Sequence, residues 1–155
     1  MTDEELREKI KSVLAELGVS SGHGEMTLSD IARIQPGLAR LMPEVGQRAW
    51  KLYYAARARN WVLAKFQWKE AAGLLHLCAF TRPKHADALA RFLADDWQPL
   101  GEAIDGKDFD TFETTFKKSI ERANFYHEER GKPYLVWKLP ATPPPDLDLE
   151  PRQKK

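Results

Sequence analysis

Between Asp108 and Gly131 the chain carries Phe109, Phe112, Phe116, Ile120, Ala123 and His127 at successive steps of three or four. Residues so spaced share one face of an α-helix, and the stripe predicts a helix that buries this face in a core. Gly131 suits the C-cap, and Pro133 bars any continuation. His127 closes the stripe, so the spacing expects its imidazole to point inward, away from water. A buried imidazole must satisfy its ring nitrogens, which makes its partner the first question.

The remaining periodicity is also helical. Leu6, Ile10, Val13, Leu14 and Leu17 mark a short amphipathic helix from Thr2 to Leu17, stopped by Gly18. "GVSSGHGEMT" follows and reads as a glycine-punctuated loop in which His23 is solvated. "TLSD" resembles a capping box, with Thr27 at the cap and Asp30 in place of the usual glutamate. From Pro36, Leu38, Leu41, Val45, Ala49, Leu52 and Ala56 define a long helix, with a kink or fresh start expected at Pro43. Asn60 offers a cap for the next helix, "WVLAKFQWKEAAGLLHLCAF". That segment is apolar on more than one face, which implies a central position. A further helix, from about Lys84 to Ile104, should bend or split at Pro99.

Beyond Gly131, "YLVWKLPATPPPDLDLE" has too many prolines for a helix and too many apolar residues to float free. It predicts an extended strap, with Tyr134, Leu135, Trp137 and Leu139 packed on the helices. The domain reading is an N-terminal helix and loop over 1–24, a helical body with its strap over 25–149, and a frayed tail over 150–155.

Composition narrows the function. The 155 residues suit one core, and 24 Lys and Arg against 23 Asp and Glu leave a net charge of +1, which argues against a nucleic-acid partner. The lone Cys78 excludes an internal disulfide and a cysteine metal cluster; its apolar neighbours make it an inert core thiol. The charged start lacks an apolar signal core, and no stretch is long and apolar enough to cross a membrane, so a cytoplasmic location is expected.

Two further groups stand out. Leu63, Phe66, Glu70, Leu74 and Leu77 form a stripe with a carboxylate in its middle. Buried, Glu70 needs a partner such as His127 or Tyr54, and a Glu–His pair would suit acid–base work. Turned to the rim, it is an ordinary surface carboxylate. Trp50, Tyr53, Tyr54, Trp61 and Trp68 cluster around the corner between two helices. They read as core packing or as the lining of a pocket for a planar apolar molecule.

The end of the last helix resembles the C-terminal end of cytochrome c-prime-like bundle proteins. One branch of that family reads Cys-Asn-x-Cys-His, then Gly-x-Pro and an aromatic, then a proline-rich tail. Here the matching run is Ala123-Asn124-Phe125-Tyr126-His127, then Gly131-Lys132-Pro133-Tyr134, then "LPATPPP". "PGLARLM", "KLYYAARARNW" and "LAKFQWKE" are similar to the same branch's first two helices, so the resemblance covers about Pro36 to Pro145. Ala123 and Tyr126 replace the two haem-attaching cysteines, so covalent haem has no attachment point.

The resemblance implies an all-α, up-down-up-down four-helix bundle that has lost its haem, here with an extra N-terminal helix and a proline-rich C-terminal strap. The expected function is binding of a small apolar or aromatic ligand in a residual pocket lined by His127, Tyr126, Glu70, Trp50, Tyr54 and Phe66. A homodimer is a further expectation, and no cofactor or metal is expected. Two alternatives stay open. His127 with Glu70 or Tyr126 would do acid–base chemistry, or His127 would hold non-covalent haem with Met42 as a second ligand. No catalytic residue can be named from the sequence.

Overall fold

The computed structural model describes Met1 to Pro151, and residues 152–155 of the expected frayed tail lie outside the described residues. The chain is mostly helical and falls into two compact units, Met1–Pro36 and one that begins at Gly37.

In the first unit, Thr2 and Glu5 form a reciprocal capping box that starts α1, Asp3–Glu16. The Gly18–Thr27 stretch is not the expected loop. It is an antiparallel hairpin of β1, Gly18–Ser21, and β2, Gly24–Thr27, in register Gly18↔Thr27 and Val19↔Met26. Gly24 takes φ 145°, a conformation that side-chain-bearing residues rarely adopt, and this lets the chain reverse within two residues. The same glycines hid two four-residue strands behind a loop signature. Thr27 and Asp30 then cap α2, Leu28–Arg33, as the sequence suggests.

The second unit opens with α3, Leu38–Arg57, which runs through Pro43 without restarting. Arg59 turns in the left-handed region, and Asn60 accepts the Leu63 amide at 3.1 Å to begin α4, Trp61–Thr81. The expected buried stripe of α4 is rotated by one residue. Ala64, Gln67, Ala71, Leu75 and Cys78 are its buried residues, Leu63 and Leu74 of the expected stripe pack partly against the core, and Phe66, Glu70 and Leu77 are exposed. Small side chains let α4 lie close to α3, and Val62, Phe66 and Phe80 are left in solvent. One flank of the helix is therefore open to water.

The expected Lys84–Ile104 helix is split four ways: a 3-10 turn at Pro83–His85, α5 at Ala86–Arg91, a π-helical segment at Phe92–Trp97, and α6 at Gln98–Gly106. Pro99 has no amide proton to donate, and the widened turn falls just ahead of it. Trp68 and Trp97 fasten this region by trading indole donors: Trp68 Nε1 donates to the Trp97 carbonyl at 2.9 Å, and Trp97 Nε1 to the Trp68 carbonyl at 3.2 Å. Gly101 makes room for that exchange, since a Cβ there would lie 2.6 Å from Trp68 Cζ2.

Asp108 caps α7, Phe109–Glu129, through the Asp110 and Thr111 amides. Gly131 at φ 70° ends it, with Lys132 N–H on the His127 carbonyl and Gly131 N–H on that of Glu128. α3 packs on α4 and α7, α4 on α5 and α6, and α6 on α7. Phe112, Phe116, Leu52, Leu100, Ile104 and Cys78 are wholly enclosed. No helix among the described residues is long and apolar enough to cross a membrane.

Candidate functional site

His127 is half-buried at the foot of α7, and it does not enter the core as its stripe implied. Burial along that stripe is complete at Phe112 and Phe116 and only partial at Ile120, Ala123 and His127. The His127 Nδ1 lies 2.7 Å from the Leu135 carbonyl, so that nitrogen carries the proton and donates it. One turn earlier, Asn124 grips Trp137 twice: Asn124 Nδ2 donates to the Trp137 carbonyl, and the Trp137 amide donates to Asn124 Oδ1, both at 2.9 Å. The Asn-x-x-His spacing thus puts two side chains on one face of α7 where the strap turns back along it.

Other residues expected to line a pocket do the same work. Tyr54 is buried, and its hydroxyl donates to the carbonyls of Ala141 at 2.7 Å and Pro140 at 3.1 Å. Trp50 Nε1 donates to the Thr142 carbonyl at 2.8 Å, and Lys51 pairs with Asp146 at 2.6 Å. Asn60 reaches the carbonyls of Leu149 and Glu150, so Glu150 is tied down where fraying was expected. Trp137, Leu139 and Leu149 pack against the core, and Pro144 is buried. Tyr134 and Leu135, expected to pack beside them, are instead 72% and 46% exposed.

The six expected ligand-binding residues do not converge. His127, Trp50 and Tyr54 hold the strap. Tyr126 is half-buried, its ring edge-on to Phe92 at 6.3 Å. Phe66 lies on the outer face of α4 beneath the Arg48 guanidinium. Glu70 is exposed on the same helix, and no hydrogen bond or ion pair joins it to His127 among the described residues. The one-residue rotation of α4 accounts for both displacements.

A concave site lies elsewhere. His76 and Ala79 of α4, Ala86 and Ala90 of α5, Leu93 and Ala94 of the π-helical segment, and Gln98 of α6 line a groove of about 350 Å³. Four of the seven lining residues are alanines. The His76 imidazole and the Gln98 amide are the polar members of the lining. The depression is shallow and open, since His76, Ala90, Ala94 and Gln98 are exposed and no lining residue is buried. Sequence reasoning missed these residues because they come from four different elements. The one available signal was the alanine recurrence at 79, 86, 90 and 94.

The π-helical segment, which gives Leu93 and Ala94 to the groove, also carries a buried carboxylate. Asp96 is 6% exposed, its Oδ1 is 3.6 Å from Arg122 Nε, and its Oδ2 has no hydrogen-bond partner among the described residues. Burial pushes the Asp96 carboxyl up from its ordinary range, and the Arg122 charge partly opposes this. Ser119 donates to the Asp96 backbone carbonyl at 2.6 Å, tying the segment to α7. The groove therefore has one wall that is unusual in its backbone and firmly anchored. No group of three or more metal-ligating side chains occurs among the described residues. Comparison with family models, with curated proteins and with solved structures finds no match for the chain.

Proposed function

We propose that the unit beginning at Gly37 is a non-catalytic binding domain for a small apolar or aromatic molecule, held in the groove between His76 and Gln98. In this reading α3, α4, the run from α5 to α6, and α7 are the four helices of an up-down-up-down bundle. That bundle is a haem-less relative of the cytochrome c-prime-like proteins. The observation that supports the reading is the depression itself, lined by small apolar side chains with one imidazole and one amide among them. No hydrogen bond or ion pair joins Glu70 to His127 among the described residues, which counts against one of the two pairings, Glu70 or Tyr126 with His127, that the acid–base alternative allows.

The test is a titration of isotope-labelled protein with indole, followed by amide chemical shifts. Shifts should gather at Ala79, Ala86, Ala90, Leu93, Ala94 and Gln98, and Ala90→Phe, which fills the groove, should abolish them. Shifts centred on Tyr126 and His127, or none at millimolar indole, would refute the assignment.

A further inference from the structure

The unit Met1–Pro36 contains no buried residue among those described. A segment this short seldom holds itself together without a disulfide, a metal or a second chain. It has no cysteine, and its described residues offer no cluster of metal-ligating side chains. Its apolar side chains are nonetheless ordered along one edge of α1. Leu6, Ile10, Val13, Leu14 and Leu17 are between 42% and 59% exposed.

The spacing of these residues is informative. Leu6, Ile10, Val13 and Leu17 alternate steps of four and three, the seam pattern of a two-stranded coiled coil. In a parallel pair the flanking positions bring Lys9 beside Leu14 of the other helix, which leaves the lysine charge unmatched. In an antiparallel pair centred between Lys11 and Ser12, Leu6 meets Leu17, Ile10 meets Val13, and both layers repeat by symmetry. The same register sets Lys9 beside Glu16 on one flank, twice. On the other flank the aliphatic stem of Arg7 covers Leu14, also twice. Lys9 and Glu16 take part in no ion pair among the described residues, whereas Glu8 and Lys11, on the far side of the helix, are already paired at 2.6 Å.

We propose that α1 is a self-pairing helix through which two copies of this chain associate, antiparallel and two-fold symmetric, with Leu6, Ile10, Val13, Leu14 and Leu17 as the shared seam. One surface serves both partners, as an isologous contact requires. The seam is short, so association is expected in the micromolar range and not as a permanent dimer.

Sedimentation of the full chain from about 1 to 500 µM tests this, since a mass-action dimer must grow in with concentration. Ile10→Asp should leave only monomer, with unchanged circular dichroism because Ile10 is already half exposed. Lys9→Glu alone and Glu16→Lys alone should each weaken the dimer about tenfold, because each sets two like-charge pairs across the seam. The Lys9→Glu/Glu16→Lys double variant should restore it. A chain that stays monomeric throughout, a dimer that survives Ile10→Asp, or a double variant no tighter than the single ones would each overturn the proposal.

Discussion

At the scale of single residues, the strap depends on a few side chains that donate to backbone carbonyls. Asn124 does the most, because it satisfies both a donor and an acceptor of Trp137. Removing it leaves two backbone groups without partners in a half-buried place, so Asn124→Ala should cost about 2 kcal/mol in urea denaturation. Asn124→Asp should cost nearly as much, since a carboxylate cannot donate to the Trp137 carbonyl. His127→Ala, which loses one hydrogen bond at a more open site, should cost about 1 kcal/mol. A second residue gives a pH signature. Burial, followed by the 2.5 Å hydrogen bond to Glu113, pushes the Tyr53 phenol up to about 12. Between its unfolded value near 10 and that figure, the folded chain keeps a proton the unfolded chain has released, so stability must fall as pH rises. The loss should total about 2 kcal/mol and be absent in Tyr53→Phe. A flat stability profile from pH 10 to 12 in the parent chain would contradict it. The same contact holds the Glu113 carboxyl below its usual range, so its contribution is lost in acid instead.

At the scale of elements, α4 and the run from α5 to α6 meet through the Trp68–Trp97 exchange, with Gly101 as the clearance. Gly101→Ala would drive a methyl into the Trp68 ring, and thermal denaturation should show a loss of about 2 kcal/mol. This joint also shows what a sequence can and cannot reveal. Caps are local chemistry, and Thr27, Asn60 and Gly131 were legible because each acts on amides or carbonyls within a few residues. The α7 stripe was legible in its first half, where Phe112 and Phe116 are both large apolar residues and enclosed ones, and misleading at its end, where His127 stays half-buried. In α4 those two properties separate. Close contact with α3 selects Ala64, Ala71 and Cys78, and Phe66 and Phe80 are left outside, so hydrophobicity points to the wrong face. The expected site inherited that error through Phe66 and Glu70. The π-helical turn was illegible for another reason, since it answers to Pro99 together with a tertiary contact 29 residues away along the chain.

At the scale of the whole molecule, the second unit closes on itself because its strap returns to α3 and then to Asn60 at the start of α4. Truncation after Gly131 removes Trp137 and Leu139 from the core edge together with the anchors of Trp50, Tyr54, Asn60 and Asn124. The expected loss is about 4 kcal/mol, that of a large aromatic side chain and its neighbours. A melting temperature equal to that of the full chain would reduce the strap to a passive tail. Cys78, meanwhile, is the sole cysteine of the sequence, has no exposed surface, and is kept protonated by burial. A thiol reagent can modify it only during moments when α4 lifts from its neighbours. The rate of mass gain under native conditions is therefore an internal clock for opening of the second unit, readable without any introduced label.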